Sequence, residues 1–139
     1  MKYTYAARFT YVSDDDTYPN GVYEVQFIDF DTCFTFGETI TEALENAEDV
    51  LILHLWNLEE QKAEIKAPTN IKDIQQDEDS FISLVSADTF EYRKLHDTKA
   101  VRKTVSIPRW LDTMAAQHNL NYSNIFQNAL MKEINVPLR

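Results

Sequence analysis

The sequence predicts an α+β chain. A β-β-β-α-β body over residues 1–88 is followed by a connector at 89–100 and a β-α-α module at 101–139. Three patterns predict it. Apolar residues alternate through the first thirty-odd positions, then recur at helical spacing from Ile40 to Leu58, and one alternating segment near the C-terminus precedes two short helical stripes. At 44% hydrophobic and 12% aromatic, the chain is too apolar for wholesale disorder.

The elements follow in order. Tyr3, Tyr5, Ala7, Phe9 and Tyr11 alternate with Thr4, Arg8 and Thr10, the period of a half-buried strand over residues 3–12. The run Asp14 to Gly21 (DDDTYPNG) is a turn ending in Asn20-Gly21. Tyr23, Val25 and Phe27 alternate again, completing a hairpin with strand 22–28, and a short third strand is expected at 33–36. Gly37 breaks the pattern. Thr39 and Glu42 then form a capping box that opens a helix running to about Gln61. Its inner face is Ile40, Ala43, Leu44, Ala47, Val50, Leu51, His54, Leu55 and Leu58, with Glu42, Glu45, Glu48 and Asp49 mostly opposite. Residues 62–80, containing Pro68 and Asp77-Glu78-Asp79, are expected as loop, and 81–85 (FISLV) as a buried strand. Residues 87–100 are mixed and charged, hence the connector.

In the C-terminal module, Val101, Lys103, Val105 and Ile107 alternate with Arg102, Thr104 and Ser106 as one strand. Pro108 suits the first position of a helix, where a missing N–H does no harm. Trp110, Leu111, Met114, Ala115 and His118 make that helix's inner stripe. Asn121 is placed as N-cap of a second helix with the stripe Ile125, Phe126, Ala129, Leu130 and Ile134. One strand and two short helices cannot close a core alone. Pairing with a second copy gives a two-stranded ribbon over four helices, with Val105, Ile107, Trp110, Leu111, Ile125, Phe126 and Leu130 as the dimer core. Such a ribbon fits a DNA major groove with Arg102, Thr104 and Ser106 facing base edges. Phosphate would be gripped by Lys103, Arg109 and the helix opening at Asn121, Tyr122, Ser123 and Asn124.

Charge supports this division. The chain carries −10 overall, but residues 99–139 hold six positive and two negative side chains, so that the first 98 residues stand at −14. A basic end can approach phosphate, while an acidic body suits a basic partner. No apolar run approaches the roughly 18 residues of a membrane span, and the N-terminus lacks the apolar segment of a signal peptide. A soluble, cytoplasmic protein is expected. The lone Cys33 can form no internal disulfide and is expected to be a small buried thiol.

Two resemblances carry functional content. The run KTVSIPRWLDTMAAQHNLNYSNIFQNAL (residues 103–130) resembles the ribbon-helix-helix repressors, with the aliphatic–Pro step Ile107-Pro108 and a second-helix opening, Leu120 to Phe126, like that family's I-S-R-S-E-L-I. The run FIDFDTCFTFGETITEALENA (residues 27–47) resembles the HicB antitoxins of type II toxin–antitoxin systems. Asp29, Cys33, Phe34, Thr35, Gly37, Thr39, Glu42, Ala43, Leu44, Asn46 and Ala47 match that family's pattern as they stand. Ile28, Phe30, Asp31 and Thr32 depart from it, removing two prolines and a glycine from the loop. Ile65-Lys66-Ala67-Pro68-Thr69 is similar to a short Pro-containing segment of the family, and Tyr92 falls where a tyrosine is usual. The resemblance implies a partial RNase H-like body that masks a small basic HicA-type ribonuclease toxin, and a dimeric ribbon-helix-helix end that represses the operon. It leaves the toxin-contact residues undefined and higher assembly open.

No catalytic or metal-binding set is expected, and no cofactor. Two-metal nuclease chemistry needs converging carboxylates. Asp29 and Asp31 lie in an expected turn, and Glu48 and Asp49 diverge by about 100° on a helix. His54 and His118 fall on apolar helix faces, His96 lies in the connector, and two glycines make no phosphate loop. Two other functions stay open: a stand-alone ribbon-helix-helix regulator whose body senses a ligand or oligomerises, and a metal-dependent nuclease resting on Asp29.

Overall fold

The computed structural model describes residues 1–136, and the chain divides into two compact units, Met1–Lys99 and Ala100–Arg139. Arg139, counted above among the positive charges, lies outside the described residues.

The first unit is a four-stranded antiparallel sheet with helices. Its strands are β1 (Lys2–Val12), β2 (Val22–Phe27), β3 (Phe34–Gly37) and β4 (Ser80–Asp88), in the order β3-β2-β1-β4. The long helix is α1 (Ile40–Glu60), and α2 (Thr89–His96) follows β4. The register puts alternate residues on opposite faces. Phe9 lies between Val25 and Phe81, Ala7 between Phe27 and Ser83, and Tyr5 opposite Val85 on the face turned to the core. Against it α1 sets Ala43, Ala47, Leu51 and Leu55, all fully buried. The two alanines let the helix approach the sheet closely, and each buried leucine contributes about 2 kcal/mol.

Local chemistry fixes where these elements begin. Thr39 Oγ1 accepts from the Glu42 amide at 3.1 Å, and the Glu42 carboxylate accepts in return from the Glu38 amide at 2.9 Å. Position 37 must be glycine for want of space, because a Cβ there would run into the backbone of Glu42 and Ala43. Gly21 closes the β1–β2 turn at φ +86°, a conformation that favours glycine. Cys33 is buried in the β2–β3 loop, one residue before the strand expected to include it, and burial pushes its thiol up to about 11.

Two expectations about the first unit are corrected. The stretch after β4 is not a plain connector, because residues 89–96 form α2. Asp88 caps it by accepting from the Phe90 amide at 3.0 Å, and Tyr92 packs on Trp56 of α1 with centroids 5.3 Å apart. Its mixed composition hid the helix, since eight residues with one anchoring aromatic give little periodicity. Ile40 and Leu44 stand exposed, so the inner stripe of α1 is narrower at its start than the spacing suggests. The strand expected at 101–107 is not formed, and residues 97–108 are neither helix nor strand. A lone extended segment has no ladder to join within the single chain.

Among its described residues the second unit holds two helices, α3 (Arg109–Ala115) and α4 (Tyr122–Glu133). Pro108 is the N-cap of α3 rather than its first residue, and its carbonyl accepts from the Leu111 and Asp112 amides at 3.1 Å. His118 falls beyond the end of α3 and so drops out of its stripe.

Candidate functional site

The carboxylates first weighed for metal chemistry are separated by their surroundings. Asp29 has a fully buried side chain. It accepts from the Thr69 hydroxyl at 2.6 Å and the Thr69 amide at 2.9 Å, and pairs with Lys66 Nζ at 3.4 Å. Burial alone would raise its pKa, but these donors and the lysine outweigh it and hold the carboxyl below its ordinary value. Asp29 is thus a latch that ties the 65–69 segment to the body, helped by the Tyr5 hydroxyl donating to the Lys66 carbonyl. Asp31, Glu48 and Asp49 are exposed. Among the described residues no group of three or more His, Cys, Asp or Glu side chains could hold a metal ion. His54 lies against Phe30, centroids 4.6 Å apart, and burial lowers its pKa.

A second hub joins the end of α1 to β1 and α2. Glu59 accepts from the Tyr3 hydroxyl and the Thr89 hydroxyl, each at 2.8 Å, and pairs with Arg93 Nη2 at 3.2 Å. Burial would raise Glu59, but these partners carry it below its ordinary value. Burial and the same carboxylate push Tyr3 up to about 12. Arg93 also pairs with Glu60.

The sheet's other face carries no helix of the first unit. Across it the register lines up Phe36, Glu24, Thr10 and Ser80 in one row, and Phe34, Gln26, Arg8 and Ile82 in the next. Phe34 is 63% exposed and Leu84, further along β4, 52%. The acidic β1–β2 turn folds over this face. Asp15 Oδ1 accepts from the Thr17 and Tyr18 amides at 2.7 and 3.1 Å, and Tyr18 lies 5.5 Å from Phe36, centroid to centroid. Between turn and strands is a cleft of about 430 Å³, lined by Asp15, Tyr18, Glu24, Phe34 and Phe36 among others. Arg8 also lines it, but its guanidinium is engaged by Asp77 at 2.8 Å, the Gln75 carbonyl at 2.8 Å and Ser80 at 3.2 Å. The sequence held the signal for this face, because the same alternation that buries Val25 turns Glu24 and Gln26 away from the core.

In the second unit no described residue is buried. Trp110 is 64% exposed and Ile125 50%, while Val105, Ile107, Leu111 and Leu130 are also exposed and Phe126 is half-buried. Arg102, Lys103, Thr104, Ser106 and Arg109 lie in exposed chain at or before the start of α3. Asn121 caps α4 as expected, its side chain accepting from the Asn124 amide at 3.0 Å. That bond occupies Asn124, leaving the Tyr122 and Ser123 amides without an acceptor among the described residues.

An acidic unit of antiparallel sheet and helices and a basic unit with two helices among its described residues define a small two-unit mixed α and β protein. The model of the family described as the HicB-like antitoxin of bacterial toxin–antitoxin systems matches residues 10–129, and the chain belongs to that family. Among solved structures, a chain from a toxin–antitoxin complex of Streptococcus pneumoniae is 33% identical. The match covers 96% of this chain and 99% of that one, with a TM-score of 0.61. The antitoxin HicB of Burkholderia pseudomallei is similar in fold, at 23% identity over 94% of this chain and 98% of that one and a TM-score of 0.51. No curated protein sequence matches the chain. Among the described residues no helix is long and apolar enough to cross a membrane.

Proposed function

We propose that this chain is the antitoxin and autorepressor of a two-gene operon. The first unit, a partial RNase H-like body, binds and occludes a small basic HicA-type ribonuclease. The second unit dimerises as a ribbon-helix-helix and binds operator DNA. The carrying observation is the contrast between the units: an acidic body with a closed core beside a basic end whose apolar stripe stands uncovered. Pairing of two 101–107 segments would supply the missing ladder and present Arg102, Thr104 and Ser106 to base edges. Arg109, Lys103 and the Tyr122 and Ser123 amides would then meet phosphates, with Asn121 fixing the helix opening. The body acts by occupying the toxin's surface rather than by chemistry, since its buried carboxylate is committed to Thr69 and Lys66.

Co-expression of the full chain with the small basic protein encoded beside its gene tests this reading. The expected outcome is restored growth and a stable co-purifying complex. A toxic neighbour left unrestrained, or a complex that retards no fragment of its own promoter, would sink the corresponding half of the proposal.

A further inference from the structure

The face of the sheet opposite α1 is turned away from the core and leaves Phe34 and Phe36 at least half exposed. Three features of its cleft point to one kind of occupant. Tyr18, Phe34 and Phe36 present aromatic surface around an opening of about 430 Å³, room for one long side chain. The Glu24 carboxylate stands in the row between Phe36 and Thr10 and has neither a hydrogen-bond donor nor a cation among the described residues. Asp15 spends one oxygen on its turn and leaves the other without a partner among the described residues.

The one cation in the cleft is already satisfied, because Arg8 is held by Asp77, Gln75 and Ser80. What remains is negative and aromatic, with Asp14 and Asp16 on the same exposed turn. Phosphate would be repelled, and a second copy of this face would bring like charges together. A lysine or arginine satisfies every requirement: its charge meets Glu24 and Asp15, and its stem and head lie on the rings.

We propose that this cleft is the site where the body receives a lysine or arginine side chain of a basic protein partner, with Glu24 as the principal charge and Phe34 and Phe36 as flanking walls. The inference rests on the reading that the body binds a basic toxin, and it names the surface that does so. Buried in such a contact, the Glu24–cation pair would direct register and slow dissociation.

The test is calorimetric titration of the full chain with the catalytically inactivated basic protein encoded beside its gene. Glu24→Lys should weaken binding about 100-fold, and Phe36→Ala about tenfold. Glu48→Lys, the same charge change on an exposed residue of α1, should cost less than about threefold. Thermal melts accompany each variant. Should Glu24→Lys melt early, Glu24→Gln removes the charge at constant shape and should still weaken binding about tenfold. Wild-type binding with all cleft variants within threefold overturns the site and leaves the antitoxin reading standing. No binding by the wild type overturns both. Unchanged toxin affinity with an altered sedimentation coefficient for Glu24→Lys overturns it in favour of contact between copies of this chain.

Discussion

Leu51 and Leu55 of α1 lie wholly buried beneath the sheet, while Trp110 of α3 and Ile125 of α4 point from equally apolar stripes and remain 64% and 50% exposed. The two units have similar local chemistry, with capped helices and clean apolar periodicity. They differ in whether the chain itself supplies the opposing surface. Residues 1–99 contain four strands and a 21-residue helix, enough to cover both partners of the layer. Residues 100–136 contain helices of 7 and 12 residues and no sheet, which is too little to enclose a core. Periodicity therefore reports which face seeks burial, and length decides whether the chain can bury that face by itself.

The largest effect should come from breaking the second unit's stripe. Ile125→Asp places a charge on a surface that a two-fold pairing uses twice. At about 3 kcal/mol per site, the pair costs about 6 kcal/mol, roughly 10,000-fold in dimer affinity. Sedimentation equilibrium should show monomers at micromolar concentration, while the melting of the first unit is unchanged. A dimer that survives the substitution would place self-association elsewhere and undo the contrast drawn above.

Leu51→Ala is the counterpart in the first unit. It should destabilise the body by about 3 kcal/mol, read as a lower urea midpoint. Promoter binding by the remaining folded protein should be nearly unchanged. A parallel loss of dimerisation would mean that the units do not act separately.

Smaller effects follow from the buried carboxylate Asp29 and the partly buried Glu59. Asp29 and Glu59 are held below their ordinary values of 3.8 and 4.5, so the unfolded chain takes up protons first as pH falls. The stability they contribute is complete above those values and is lost as pH drops through them toward the folded ones. His54, lowered from 6.5 by burial, acts in the same direction from a higher starting pH. Asp29→Asn should cost about 2 kcal/mol at neutral pH through weakened bonds to Thr69 and Lys66. It should also flatten the acid limb of the stability curve between pH 5 and 3, followed by urea melts across that range. An acid limb as steep as the wild type's would assign the acid sensitivity to Glu59 and its neighbours instead.

How much of this was legible depended on the range of the interactions. The hairpin, the Thr39 cap, the packed face of α1 from Ala43 to Leu55 and the Asn121 cap are written in neighbours two to four residues apart, and each stands in the structure. The Asp29–Thr69 latch joins positions 40 apart, and the Glu59–Thr89 bond positions 30 apart. No local pattern foretells either, though the resemblance to HicB antitoxins flagged both Asp29 and the 65–69 segment. Helix α2 escaped because its anchors, Tyr92 on Trp56 and the Thr89 and Arg93 bonds to Glu59, are all made to distant α1, and because its cap, Asp88, is also the last residue of β4. The cleft at Glu24 arises only when the acidic turn folds back onto Phe36, a contact between residues 18 positions apart.

The smallest predicted effect is the most selective. Arg102 lies in exposed chain ahead of α3, among residues with no ladder in the single chain and no part in either unit's packing. Arg102→Ala should therefore leave both the melting profile and the dimer unchanged. If the 101–107 segments pair as a ribbon, the lost side chain weakens operator binding by roughly tenfold at each half-site, about 100-fold for the dimer, and relaxes sequence preference at one position of each half-site. If Arg102 meets only phosphate, binding falls evenly across sequences and the salt slope drops by about two, one for each half-site. Gel-shift titrations at two salt concentrations, on promoter DNA and on a scrambled duplex, separate the two outcomes. Equal retardation of both duplexes by the wild type would leave the second unit a basic dimerisation element without an operator, and the contrast between the units would then be one of assembly alone.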